Sequence, residues 1–161
     1  MRLTHSTIGM IALLVAAGCS SPNATDTTIQ RDALPPKVSA SLDARYPNAE
    51  ILKLSKEKSL TGTVYEAEMK VEGRRVDAIF DGDGSFKEAE ASIAADALPA
   101  AVREDIASSP QGDWTMLTIE AVTKGPETSP SKYEIILMKG GEKFEVEYAP
   151  DGKRLKGVKA S

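Results

Sequence analysis

Apolar and polar residues alternate strictly over the stretch that begins at Tyr65. The side chains expected on one face are Tyr65, Ala67, Met69 and Val71. The side chains between them, expected on the opposite face, are Glu66, Glu68 and Lys70. A period of two residues is typical of a strand with one buried face. The alternation resumes after Glu72-Gly73, which predicts a hairpin, because glycine readily adopts the positive φ of a two-residue turn.

The same pattern returns at a constant offset of 68 positions. The pairs kept at this offset are Tyr65 and Tyr133, Glu66 and Glu134, Gly73 and Gly141, Asp83 and Asp151, and Gly84 and Gly152. A constant offset across two strands and two turns indicates an internal duplication.

A helical pattern precedes each hairpin. In the first, Leu34, Val38, Leu42 and Tyr46 recur every four residues, behind the prolines at 35 and 36 and ahead of Pro47. In the second, Leu98, Val102 and Ile106 recur in the same way. Apolar residues at this spacing predict an amphipathic helix, and proline suits its first turn but not its interior.

These elements predict an α+β fold of two tandem α-β-β-β-β repeats, 34–91 and 98–158, within one domain of residues 33–161. One repeat of this size would bury little apolar surface and would be marginally stable alone. We therefore expect the two repeats to share one antiparallel sheet, with both helices packed on one face.

The N-terminal segment has the pattern of an export signal. Arg2 precedes an apolar run at 8–17 that is too short to span a bilayer. The residues Ala16-Ala17-Gly18-Cys19 resemble the lipobox of bacterial lipoproteins, although Ala16 stands where leucine is usual. That resemblance implies cleavage after residue 18, acylation of Cys19 and, in a Gram-negative cell, an outer-membrane anchor facing the periplasm. Cleavage at an ordinary small-residue site, giving a soluble periplasmic protein, is the alternative.

Residues 19–32 are polar and aperiodic, which predicts a flexible tether between the anchor and the domain. Removal of residues 1–18 changes the formal net charge from −4 to −5, since Arg2 is the only charged residue lost. A mildly acidic chain without a basic stripe argues against nucleic-acid binding.

The residue types left after cleavage exclude several kinds of chemistry. The single histidine, His5, lies in the predicted signal peptide, and the single cysteine is Cys19. A Ser-His-Asp triad, a Cys-His pair and a histidine-based zinc site are therefore excluded. We expect no cofactor and no metal.

The paired motifs resemble a known family. A Leu34-Pro35 helix start, a Tyr46-Pro47 helix end, a Tyr-Glu strand and an Asp-Gly closing turn are similar to those of the PepSY-like proteins. These are exported bacterial proteins whose fold is similar to that of β-lactamase inhibitory protein. The second repeat departs from the pattern at its helix end, where Ser109-Pro110 stands. The resemblance implies a non-enzymatic protein that binds, and inhibits, an exported protein or peptide such as a peptidase or another hydrolase.

The sequence is also consistent with two other functions. Asp81 and Asp83 resemble the start of an EF-hand loop, which would suit Ca²⁺ or a small ligand, but Ala89 and Ser92 occupy its ninth and twelfth positions. The same residues also suit a simple hairpin turn. A carboxylate-only enzyme, as among glycosidases, would need two acids converging in a cleft.

The sheet face opposite Tyr65 is the predicted binding surface. Most of its residues are charged, but some are apolar where water is expected, which is typical of a protein-binding patch. The candidate partner-binding residues are Glu66, Ile79, Glu134, Ile136 and Met138. The aromatic residues Tyr65, Tyr133 and Trp114 fit either the core or a binding site.

Overall fold

The computed structural model describes residues 27–59 and 62–160. Within them the chain forms nine strands and two α-helices: β1 (Thr27–Thr28), α1 (Pro36–Arg45), β2 (Glu50–Ser59), β3 (Gly62–Val71), β4 (Arg74–Asp81), β5 (Phe86–Ser92), α2 (Ala100–Ser108), β6 (Thr115–Lys124), β7 (Lys132–Lys139), β8 (Glu142–Tyr148) and β9 (Arg154–Ala160). A 3-10 helix precedes each α-helix, at Arg31–Ala33 and Ala95–Ala97. The predicted signal peptide and Cys19 lie outside the described residues.

The nine strands form one antiparallel sheet in which spatial order follows sequence order. The predicted hairpin across Glu72-Gly73 is confirmed, because Tyr65 pairs with Phe80 and the turn residues have φ values of 52° and 79°. β7 and β8 form the corresponding hairpin, in which Tyr133 pairs with Tyr148.

The predicted fold class, α+β with two tandem α-β-β-β-β repeats, is wrong. Most of the described chain belongs to one continuous sheet, and α1 and α2 have only ten and nine residues. β1 adds a ninth strand from within the stretch predicted as a tether, and β5 pairs directly with β6 across the predicted boundary. A shared antiparallel sheet was expected, but not its dominance over the helices. The unpaired N–H and C=O groups of strand edges let β1 join β2 and β5 join β6, so that the strands form one continuous sheet in place of two α-β units.

The prolines determine where the two helices begin. Pro35 and Pro99 occupy the N-cap positions, and the helices end where the backbone N–H groups of Tyr46 and Ser109 donate to Leu42 and Ile106. A fixed φ near −65° suits a helix start, whereas the missing N–H is not tolerated further in. In the part of the chain that the structure describes, no helix has the length and apolar character needed to cross a bilayer.

Both helices pack on the same face of the sheet. Val38 and Leu42 of α1 contact a cluster that includes Met69 and Phe80. Val102 and Ile106 of α2 contact a second cluster: Ile135, Leu137, Val146 and Tyr148. Cross-strand pairs connect Met69 through Val76, Ala91, Ala121 and Tyr133 to Tyr148. Because directly paired residues point to the same side of a sheet, both clusters lie on one face.

Candidate functional site

The face opposite the helices, called the open face below, carries most of the charge of the sheet. Cross-strand pairing places Asp77 opposite Glu90, and Glu120 opposite Glu134. Its acidic residues are Glu50, Glu57, Glu66, Glu68, Asp77, Asp81, Glu88, Glu90, Glu120, Glu134, Glu145 and Glu147, and its basic residues are Lys53, Lys70, Arg75, Lys124, Lys132, Lys143 and Lys156.

This charge is unevenly distributed over the molecule. The open face holds twelve of the 24 acidic residues of the chain and seven of its 20 basic residues, which leaves twelve acidic and thirteen basic residues elsewhere. The open face alone therefore has a formal charge of −5, and the remainder has a charge of +1. Such an asymmetry gives the open face a negative potential that attracts cationic partners.

Ion pairs partly neutralise the carboxylates on either side of the middle strands, β5 and β6. Arg75 contacts Glu68 at 2.8 Å and Asp77 at 3.3 Å. Lys132 contacts Glu134 at 2.5 Å and Glu147 at 3.1 Å. These pairs leave the middle strands, β5 and β6, with fewer cations than carboxylates.

The middle of the open face contains four carboxylates that we call the acidic centre: Asp77, Glu90, Glu120 and Glu134. Within the described residues, neither Glu90 nor Glu120 forms an ion pair. One oxygen of Glu90, Oε1, and one oxygen of Asp77, Oδ1, are buried without a hydrogen-bond partner in the described chain. A buried carboxylate oxygen without a partner loses its hydration and gains nothing in return.

Burial raises the pKa of Glu90 to about 8, and the charges of Glu134, Glu120, Glu88 and Asp77 add to the effect. Burial likewise raises the pKa of Glu120, with Glu134 contributing, and that of Asp77, although Arg75 opposes the change. Glu90 pairs with Val122, which is fully buried on the same side of the sheet and so adds to the apolar surroundings. The acidic centre therefore stores electrostatic repulsion that a cation would relieve.

The predicted partner-binding residues all lie on the open face, but the structure does not bring them into one cluster. Glu66 pairs with Ile79 across β3 and β4, and burial raises the pKa of Glu66. Glu134, Ile136 and Met138 lie on β7, which β5 and β6 separate from β4. Glu134 and Ile136 are only 7% and 8% exposed, so the sequence overestimated how accessible these two side chains are.

The structure adds one apolar residue to those on β7. Val158 of β9 is 41% exposed and lies opposite Glu145, which in turn lies opposite Ile136. We call Ile136, Met138 and Val158 the apolar margin of the open face. Sequence reasoning assigned no facing direction to the last strand of the second repeat and so missed Val158.

Sequence reasoning also missed Glu90 and Glu120. The sequence did contain a pattern that identifies the face on which Glu90 lies, because Glu88 and Glu90 alternate with Ala89 and Ala91 along β5. Their proximity to Glu120 depends on the pairing of β5 with β6, which alternation within one strand does not specify.

The Asp81/Asp83 turn is explained by backbone hydrogen bonds. The amide of Gly84 donates to the carbonyl of Asp81, and the amide of Ser85 donates to the Asp83 carboxylate at 2.9 Å. The turn before β9 has the same bonds although alanine stands at 149, since the amide of Lys153 donates to Asp151 at 3.0 Å. The described residues contain no group of three acidic, histidine or cysteine side chains with the geometry of a metal site.

The three aromatic candidates lie on the side of the helices. Tyr65 packs against the cluster around α1, and Tyr133 and Trp114 pack against the cluster around α2. These residues therefore belong to the core, and the open face of the described chain carries mainly charged and aliphatic side chains. Its acids lie side by side on a sheet, which suits a docking surface better than two acids facing across a bound sugar.

Comparison with known proteins identifies relatives of this fold. The family model described as "Putative beta-lactamase-inhibitor-like, PepSY-like" matches two overlapping segments, residues 23–77 and 63–156. No curated protein sequence matches the chain.

Solved structures of Bacteroides proteins are similar to this chain. A DUF2874 family protein from Bacteroides uniformis is 19% identical with a TM-score of 0.65, covering 78% of this chain and 88% of that protein. A protein from Bacteroides eggerthii, described as a putative periplasmic protein, is 23% identical with a TM-score of 0.66 and the same coverage. A BLIP-like protein from Bacteroides fragilis is 21% identical with a TM-score of 0.62, covering 77% of this chain and 84% of that protein. These similarities establish a shared fold, and the two matched segments confirm the family that the sequence motifs indicated: the chain belongs to the PepSY-like family.

Proposed function

We propose that this protein is a non-enzymatic binding protein of the bacterial envelope that docks an exported protein on its open face. The partner would be a peptidase or another hydrolase, whose activity the bound protein would restrain. The family description as beta-lactamase-inhibitor-like supports a binding role. The observation that carries the proposal is that both helices pack on one face of the sheet, leaving a charged face with an apolar margin on the other.

The location of the protein is part of the proposal. We infer export from the apolar run at 8–17, and lipid anchoring from Cys19 behind small residues. The description of the Bacteroides eggerthii relative as a periplasmic protein supports the same compartment. In a Gram-negative cell the anchor would lie in the outer membrane, facing the periplasm, and a soluble periplasmic form is the alternative.

The test uses Val158, which is exposed, and Met138, which is half-buried, because Glu134 and Ile136 are too buried to change without disturbing the fold. The double variant Met138→Asp/Val158→Asp introduces charge on the open face. The control Ala40→Asp introduces charge at an exposed position of α1, on the helical side. Each protein is crosslinked in intact envelopes, and the captured partner is purified and titrated against the three proteins.

We expect one exported protein to be captured by the wild type and by the control, and to bind the double variant at least about tenfold more weakly. Unchanged melting temperatures would show that the loss is due to the surface and not to unfolding. Equal binding of the purified partner by all three proteins would contradict docking on the open face.

A further inference from the structure

We propose that the acidic centre receives a lysine or arginine side chain of the protein that docks on the open face. This inference rests on the function proposed above and identifies the chemistry of the partner. It follows from the charge of the open face and from two carboxylate oxygens that have no hydrogen-bond partner among the described residues.

The geometry of the acidic centre calls for a cation from outside the described chain. Asp77 and Glu90 are direct cross-strand neighbours, and so are Glu120 and Glu134. Like charges directly opposite one another destabilise a sheet. Glu90 Oε1 and Asp77 Oδ1 are buried without a hydrogen-bond partner in the described residues, so the two carboxyl groups have unused acceptor capacity, and both side chains are only partly buried.

The cations nearest the acidic centre already form ion pairs with other carboxylates or with its flanking members. Arg75 binds Glu68 and Asp77, Lys124 binds Glu88 at 3.3 Å, and Lys132 binds Glu134 and Glu147. The three cations lie on β4, β6 and β7 around Glu90, but none of them forms an ion pair with it. A single further cation could therefore contact Glu90 and Glu120 without displacing an existing ion pair.

A flexible basic side chain fits this surface better than a metal ion. The described residues contain no three carboxylates with the geometry of a metal site, whereas lysine and arginine reach between strands with several donors. Charge complementarity of this kind contributes more to association rate and partner choice than to total affinity.

Docking of such a side chain would also displace a proton. Because the pKa of Glu90 is about 8, this carboxyl is mostly protonated at neutral pH. The groups that face it are Asp77 on β4, Glu88 on β5, Glu120 and Lys124 on β6, and Glu134 and Lys132 on β7. An arginine stays charged throughout, so we expect binding to strengthen as pH rises from 6 to 9.

The first experiment measures fluorescence anisotropy of a short labelled peptide in which arginines alternate with threonines. The matched peptide carries citrulline, which has the shape of arginine without its charge. The protein is compared with Glu90→Gln/Glu120→Gln and with the control Glu104→Gln/Glu127→Gln, which removes two exposed charges outside the open face. We expect the arginine peptide to bind, the citrulline peptide to fail, and only Glu90→Gln/Glu120→Gln to lose about tenfold or more in affinity.

Three results would overturn the proposal: no binding of the arginine peptide, equal binding of both peptides, or equal losses in the two double variants. A fourth is a rise in melting temperature with Ca²⁺ alone that Glu90→Gln/Glu120→Gln abolishes, because the occupant would then be a metal ion. The captured partner separates the two proposals. If Met138→Asp/Val158→Asp loses binding but Glu90→Gln/Glu120→Gln does not, docking on the open face is supported, and the proposal that a basic side chain enters the acidic centre is refuted. If both double variants bind the captured partner as tightly as the wild type, the proposed function itself is refuted.

Discussion

Asp77 and Glu90 face each other across β4 and β5, and each has a buried carboxylate oxygen that no hydrogen bond reaches from the described residues. Burial is the largest cause of the raised pKa of both groups. Two acids placed in this way destabilise the folded chain when they ionise. A binding surface that is unfavourable in isolation is one that a partner can stabilise.

The stability of the protein should fall as pH rises from about 4.5 to about 8. The pKa of Glu90 rises from 4.5 to about 8 on folding, so at Glu90 the folded state holds up to one proton more than the unfolded state within this window, and the raised pKa values of Glu66, Asp77 and Glu120 act in the same direction. The free energy of unfolding is therefore highest below about pH 4.5. Between pH 4.5 and about 8 it decreases by up to about 1.4 kcal/mol per pH unit. Since Glu90 is only partly buried, we expect a total loss of about 1–3 kcal/mol, measured by urea denaturation at several pH values.

The variant Glu90→Gln should flatten this dependence and be more stable than the wild type above pH 8. Glu104→Gln, at an exposed position of α2, is the control and should keep the wild-type slope. The lowered pKa values of Asp83, Asp105 and Asp113 contribute a constant stabilisation above their ordinary value of 3.8, which is lost only as pH falls below it, outside this window. A slope that Glu90→Gln leaves unchanged would show that another group is responsible.

Tyr148→Phe should destabilise the attachment of α2 to the sheet. The Tyr148 hydroxyl donates to Asp105 Oδ2 at 2.7 Å, and Arg154 donates to the same oxygen at 2.6 Å. Burial and the Asp105 hydrogen bond raise the pKa of Tyr148 to about 12. We expect a loss of about 1 kcal/mol in the free energy of unfolding.

The control for this prediction is Tyr65→Phe, since Tyr65 also packs against the core but its hydroxyl makes no hydrogen bond within the described chain. Both variants lose the same atom, so the difference between their unfolding free energies isolates the bond to Asp105. Equal losses would mean that the bond to Asp105 adds nothing to stability.

The sequence was most informative where one residue pattern determines one structural choice. The alternation from Tyr65 predicted the hairpin and the side of the sheet on which Glu66 lies. The prolines at 35 and 36 predicted where the first helix begins. Each of these predictions depends on neighbours within a few residues, which backbone geometry constrains directly.

The features that the sequence did not predict depend on contacts between distant segments. β1 pairs with β2, and β5 with β6, through backbone groups that every residue carries. The acidic centre requires Asp77, Glu90 and Glu134 to meet across four strands, and no spacing within the chain encodes that register. The burial of Ile136 was missed for the same reason.

Arg45→Lys should weaken the contact between α1 and the rest of the domain. The Arg45 guanidinium carbon lies 3.6 Å from the centre of the Phe86 ring, and Nη2 donates to the carbonyl of Glu127 at 3.2 Å. Lysine keeps the charge but lacks the planar guanidinium group, which stacks on the Phe86 ring and donates a hydrogen bond to Glu127 at the same time. We expect a loss of about 0.5–1 kcal/mol by urea denaturation. Arg74→Lys, whose partner Glu72 is exposed, should have little effect, and a similar loss in both would contradict the role of stacking.

Gly152→Ala and Gly84→Ala should be more destabilising than Gly73→Ala. All three glycines have positive φ, of 89°, 89° and 79°, so each substitution carries a backbone strain of about 1 kcal/mol or more. A Cβ at Gly73 meets nothing within 4 Å, whereas at Gly84 it would lie 2.7 Å from the carbonyl oxygen of Lys37 in α1. At Gly152 it would lie 2.5 Å from the Ala101 side chain in α2. We expect losses of about 1 kcal/mol for Gly73→Ala and about 2–4 kcal/mol for the other two.

A double-mutant cycle separates strain from collision at Gly152. Ala101→Gly removes the Cβ that the new methyl group would meet, at its own cost of up to about 1 kcal/mol within α2. The double variant Gly152→Ala/Ala101→Gly should therefore lose less stability than the sum of its two single variants. No such rescue is open at Gly84, where the obstacle is the backbone of Lys37. Strictly additive losses at positions 101 and 152 would show that the turn before β9 does not rest on α2.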